Sequence, residues 1–160
     1  MKNEPHTIRR EARKALFLTI LSYTLSILFI YAATLKTMDY NAFVADIAKS
    51  PLLTKIRNTT LAPLLLGLEF VTALLLPFRT TMKAGLYLSS CLMLLLTLYL
   101  ATLYFFFTRI PCSCGGILGM MPYPVHIVFN LLFTILSFTG VILLTGPAAA
   151  PHRFKRPLVD

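Results

Sequence analysis

Charge is scarce in this 160-residue chain: 13% of its residues are Asp, Glu, Lys or Arg, and only six are acidic. With 57% hydrophobic residues and a mean hydropathy of +0.75, it carries far more apolar surface than one small soluble core could bury, which excludes a soluble globular domain. No phosphate-binding glycine loop occurs, so nothing points to nucleotide chemistry. No internal repeat occurs either, which argues against the inverted-repeat design of many transporters. The first apolar run lacks a small-x-small cleavage site and exceeds the roughly 7–15-residue core of a signal peptide. It therefore reads as a retained helix, despite the basic flank of Lys2, Arg9, Arg10, Arg13 and Lys14.

What is present is four apolar blocks, at about residues 15–34, 61–77, 84–107 and 125–145. Each approaches the roughly 20 helical residues that cross a hydrocarbon layer of about 30 Å. The expected fold class is all-α: an integral membrane four-helix bundle in which the tight turn at 77–83 makes the second and third helices antiparallel neighbours. Ten of the Lys and Arg residues fall in the amino-terminal segment, the 77–83 turn (Arg79 and Lys83) and the tail (Arg153, Lys155 and Arg156). Five are spread over the longer opposite loops: Lys36, Lys49, Lys55, Arg57 and Arg109. By the positive-inside rule both termini are cytoplasmic, and the loops at 35–60 and 108–124 face the periplasm or cell exterior. Topology and anionic headgroups account for the net charge of +9, so the partner this charge implies is the lipid bilayer and not a nucleic acid.

The chain divides into a basic cytoplasmic segment (1–14), the helical domain (15–145) and a Pro/Ala-rich basic tail (146–160). In the first outer loop Tyr40, Phe43, Val44 and Ile47 recur at i, i+3, i+4 and i+7 while Asp39, Asp46 and Lys49 lie on another face. That pattern predicts a short amphipathic helix over 39–50, ended by Pro51 and resting on the outer rim of the bundle or in the headgroup layer, where it can act as a lid.

Chemistry concentrates at Pro111-Cys112-Ser113-Cys114-Gly115-Gly116, where two thiols one residue apart follow the third apolar block. A pair this close can form a strained, easily reduced disulfide or exchange with a partner's thiols. Arg109 stands three residues upstream, where it would favour a thiolate. The same pair can also be read as a structural disulfide or an unreactive chance pair, or, with His126, as three soft ligands for copper or zinc; no metal is assigned. Cys91 lies 21 residues before Cys112, about 30 Å along a helix, and reads as a small buried hydrophobe.

Glu69 is a carboxylate inside the second apolar block, so it must face the interior, a partner or a water-filled cavity. It suits a proton relay, a ligand anchor or a structural hydrogen bond to a hydroxyl such as Tyr99 or Tyr104. His126 and Asn130 are four apart on the fourth helix and share a face just below the cysteine loop. Lys36 and Asp39, three apart, read as a surface pair of little energetic value.

Leu35, Lys36, Asp39, Phe43, Ile47, Ser50, Pro51 and Leu52, with Glu69, the Cys112-Ser113-Cys114-Gly115-Gly116 loop and Asn130, resemble the DoxX-like family and within it the methylamine-utilisation MauE branch. The similarity covers roughly residues 15–145, and the Cys-x-Cys-Gly loop is its specific element; Gly115 stands where Phe is common in such chains. The resemblance implies an inner-membrane protein that supports oxidative maturation of a periplasmic, disulfide-rich partner, with a quinone link known among DoxX relatives. The expectation is then a thiol-disulfide redox protein of the bacterial inner membrane. Cys112 and Cys114 exchange electrons with a periplasmic thiol protein, Arg109 tunes the thiolate, and Glu69 handles protons. His126, Asn130 and Tyr104 lie near a quinone pocket, which Phe105 and Phe106 would help line if they are not simply an interfacial aromatic belt. Two rivals are a non-enzymatic assembly or anchoring subunit with a structural Cys-x-Cys clip, and a small transporter coupled through Glu69.

Overall fold

The computed structural model describes residues 4–50, 58–107 and 122–146, and among them every regular element is helical. The elements are α1 (Glu4–Met38), α2 (Tyr40–Lys49), α3 (Asn58–Leu75), α4 (Met82–Phe106) and α5 (Tyr123–Thr145). Three stretches are long and apolar enough to cross a membrane: Ile8–Met38, Met82–Phe106 and Tyr123–Thr145. Thr60–Leu75 is a shorter apolar helix, and α3 as a whole has 18 residues, about 27 Å at the usual rise.

Helix α1 has 35 residues, well beyond the expected 15–34 block at both ends. Neither glycine nor proline interrupts 6–38, and the basic flank is rich in the good helix formers Arg, Lys and Ala, so the helix runs through it without a break. Its buried positions, Leu18, Leu21, Ser22, Leu25, Ser26, Phe29, Ala33 and Lys36, recur at the i, i+3, i+4, i+7 spacing of one helix face and form one continuous stripe.

The four long helices pack in the cyclic order α1, α3, α4, α5, with the most extensive contacts between α4 and α5 and between α1 and α3. Helices α3 and α4 touch less. Between helices in hydrocarbon there is little hydrophobic driving force, so close packing and interhelical hydrogen bonds must do more. Small and hydroxyl residues supply both. The Ser137 hydroxyl meets those of Ser89 at 2.5 Å and Ser90 at 2.9 Å, Thr97 and Thr134 approach to 3.3 Å, and the Ser26 hydroxyl donates to the Ala73 carbonyl at 2.7 Å. At Gly140 a Cβ would lie only 2.9 Å from a Leu21 methyl, so glycine permits the approach of α1 to α5.

Cys91 departs from the expectation of a buried thiol: it is exposed on the outside of α4. Ser89 and Ser90 take the interior positions through their bonds to Ser137, and the next residue is carried about 100° further round the helix.

The amphipathic helix expected over 39–50 forms over Tyr40–Lys49, although Tyr40 of its expected apolar face is exposed. Phe43 and Ile47 of α2 are buried against Ala33 of α1 and Ala62 and Leu66 of α3, while Asp46, half-buried, pairs at 3.5 Å with the exposed Lys49. Asp39 and Ser50 flank the helix, and the Tyr99 hydroxyl of α4 donates to Ser50 Oγ at 2.9 Å, fastening the end of α2 to α4.

Candidate functional site

The stripe on α1 ends in a cation. Lys36 Nζ donates to Glu69 Oε1 of α3, and the two residues are only 8% and 6% exposed. This corrects two expectations. Lys36 does not make a surface pair with Asp39, which is exposed, because α1 continues as helix through Met38 and keeps Lys36 on its inward stripe. Glu69 takes Lys36 and not a tyrosine hydroxyl as partner; Tyr99 donates to Ser50 instead, and Tyr104 is 43% exposed, edge-on to Phe105. A buried carboxylate without a countercharge costs several kcal/mol, about 3–5 when a partner is removed, and Lys36 is the cation within reach. The ammonium also lies 5.6 Å from the Phe43 ring centre, a cation–π contact from α2.

On α5, His126 and Asn130 do share an inward face, 2% and 3% exposed. They meet Lys36 and Glu69 around a small cavity of about 30 Å³, which Phe29 and Met93 also line. Among the described residues Glu69 Oε2 and Asn130 Nδ2 are buried with no hydrogen-bond partner. Buried polar atoms are rarely left so, and two on one cavity mark it as a place for a polar guest.

Lys36 and Glu69 also line a second, far larger cavity of about 420 Å³ between α3, α4 and α2. Its walls are almost wholly apolar, including Phe43, Leu65 and Leu100, with Tyr99 and Asp46 as further polar groups. An apolar pocket of this size with a few convergent polar groups is the usual form of a small-molecule site. The ion pair thus stands between two cavities, one sized for a ligand and one for a single small molecule. Tyr104 lines neither of them.

Cys112, Cys114 and Arg109 lie outside the described residues, as do two of the three ligands of the Cys112, Cys114 and His126 metal set. The chain segment that carries them joins the end of α4 to the start of α5, whose first turn holds His126. Among the described residues no group of three or more His, Cys, Asp or Glu side chains could hold a metal ion. Sequence reasoning missed Lys36 as a site residue. A carboxylate in an apolar helix calls for a cation, and Lys36 on the stripe defined by Phe29 and Ala33 was its available signal.

Fold and site define a multi-pass helical membrane protein with an ionised pair enclosed in its interior beside a ligand-sized cavity. The family profile of methylamine utilisation protein MauE matches residues 14–144, and the chain belongs to the MauE family. No curated protein and no solved structure matches it.

Proposed function

We propose that this MauE-family membrane protein is an inner-membrane thiol-disulfide redox protein that supports oxidative maturation of a periplasmic partner in methylamine utilisation. Its four long helices form a membrane bundle with both termini in the cytoplasm, so that the 108–121 segment faces the periplasm. The observation that carries the reading is the 420 Å³ apolar cavity with Lys36 and Glu69 in its wall, lined in part by α4, the helix that leads into the segment bearing Cys112 and Cys114. Sulfur chemistry at the surface needs an electron acceptor, and a hydrophobic cavity with a proton-carrying pair suits a quinone. The wider DoxX-like resemblance of Lys36, Asp39 and Glu69 lends the same support.

A partner's dithiol attacks the Cys112–Cys114 disulfide, passes through a mixed disulfide, and leaves as a disulfide while the pair becomes two thiols. Reoxidation removes two electrons and two protons from those thiols and adds both to a quinone, giving the quinol. Arg109 favours the thiolate that leaves as the Cys112–Cys114 bond opens. Lys36 donates a hydrogen bond to a quinone oxygen, and Glu69 carries protons to it.

Trapping tests the reading. Cys112→Ser and Cys114→Ser should each fold and lose function, and one of them should accumulate a mixed disulfide with a periplasmic protein, since the resolving thiol is gone. If the double serine variant folds and still supports maturation, the assembly-subunit reading replaces this one.

A further inference from the structure

We propose that the 30 Å³ cavity holds one water molecule that joins Glu69 to His126, forming a proton relay between the periplasmic end of α5 and the acceptor cavity. The inference deepens the redox reading and rests on it. Glu69 is reached by two cavities with different chemistry. The larger is apolar, but the smaller brings together Lys36, Glu69, His126 and Asn130. A volume of about 30 Å³ exceeds the roughly 10–15 Å³ that one water needs, and a buried water takes two to four polar partners. Here Glu69 and Asn130, which carry the two unpartnered atoms, Oε2 as acceptor and Nδ2 as donor, line the same space as His126.

The groups facing Glu69 come from every helix packed around it. Helix α1 supplies Lys36, α5 supplies His126 and Asn130, and α4 supplies Met93 and Leu96 on the side of the small cavity, while Tyr99 of α4 and Asp46 of α2 face the larger one. Lys36 holds Oε1, which leaves Oε2 as the free proton acceptor. In the transfer the imidazolium N–H bond of His126 breaks and its proton goes to the water oxygen, while a water O–H bond breaks and its proton goes to Glu69 Oε2. Imidazole, water and a carboxylic acid result. The Asn130 amide donates to the same water and fixes its orientation. The acid then delivers its proton to the ligand in the larger cavity, which shares Glu69 as wall.

The direction of supply follows. His126 sits in the first turn of α5, directly after the segment that bears the thiols, so protons released by thiol oxidation re-enter the protein on that side. Quinone reduction would then consume periplasmic protons. The overall step would be electroneutral across the membrane.

The experiment uses the full chain in lipid nanodiscs with ¹⁵N-labelled histidine, the His126 signals being assigned by Asn or Gln substitution. The ring N–H of His126 should show an exchange cross-peak with bound water, and Glu69→Gln should shift its ring nitrogen resonances. Asn130→Leu leaves the ion pair intact and fills the cavity with methyl groups, so it should remove both the cross-peak and the response to Glu69→Gln. That variant keeps the test open if Glu69→Gln does not fold. In turnover with a short-chain quinone, His126→Gln should slow thiol reoxidation by about 10²-fold, the usual loss of a proton-transfer group. Identical His126 resonances in the unsubstituted, Glu69→Gln and Asn130→Leu chains would overturn the relay. Partner trapping by Cys112→Ser and Cys114→Ser, run in parallel, fails only if the redox reading is wrong, so the two failures are separable.

Discussion

Lys36 and Glu69, 33 residues apart in sequence, form a buried ion pair that joins the last turns of α1 to the second half of α3. Because both charges are out of water, each is tolerable only through the other. Single substitutions Lys36→Met and Glu69→Leu should each destabilise the fold by about 3–5 kcal/mol, whereas the double variant should recover most of the loss. Thermal unfolding in detergent, set up as a double-mutant cycle, measures the coupling. Glu69→Gln should be milder than Glu69→Lys, which places two cations together. Additive single losses would mean that the pair is not enclosed.

The α4–α5 seam is held by a different kind of contact. Ser137→Ala removes hydrogen bonds to Ser89 and Ser90, and such bonds between membrane helices average about 0.6 kcal/mol. Gly140→Leu drives a side chain into the space held by Leu21 and Leu86 and should cost more, of the order of 1–3 kcal/mol. Unfolding midpoints of the two variants should rank in that order.

Tryptophan is absent from the chain, which makes a ligand sensor available. Leu64→Trp puts one indole at the edge of the large cavity, and a quinone entering there should quench its fluorescence with saturation. Phe138→Trp, on the exposed side of α5 away from both cavities, should show only linear collisional quenching. Linear quenching at both positions would remove the quinone from the cavity.

Sidedness can be read chemically. In intact cells, after reduction, Cys112 and Cys114 should react with a membrane-impermeant maleimide, and reaction only after lysis would reverse the topology. Cys91, studied in the double serine variant with a nitroxide label, should be accessible to oxygen and shielded from a polar paramagnetic reagent, because it lies on the exposed apolar surface of α4.

How far the chain could be read from its letters depended on period and context. The apolar blocks and the i, i+3, i+4, i+7 pattern at Tyr40 to Ile47 carry their own geometry, so the helices and the docking of Phe43 and Ile47 were legible. The shared face of His126 and Asn130 followed from their spacing alone. Ends were less so: apolarity fades at Thr34, but nothing there breaks the helix, and α1 runs on to Met38. That displacement hid Lys36, which counted as a loop residue and so was offered Asp39 as its partner. Tyr99 and Tyr104 could not be ranked either, since which side of α4 faces inward is fixed by Ser89, Ser90 and Thr97 meeting α5, a tertiary fact.

The edge of the large cavity is formed by Leu64 and Leu95, which are 57% and 58% exposed on α3 and α4. In a bilayer that edge opens onto acyl chains, so a guest arrives by diffusion in the plane of the membrane and never crosses water. Its hydrocarbon tail passes from one oily medium to another, which yields almost no hydrophobic gain. Tail length should therefore matter little, and neighbouring phospholipid chains compete on nearly equal terms for the apolar walls. For the proposed quinone, selection would then fall to its head group and to the proposed bond with Lys36.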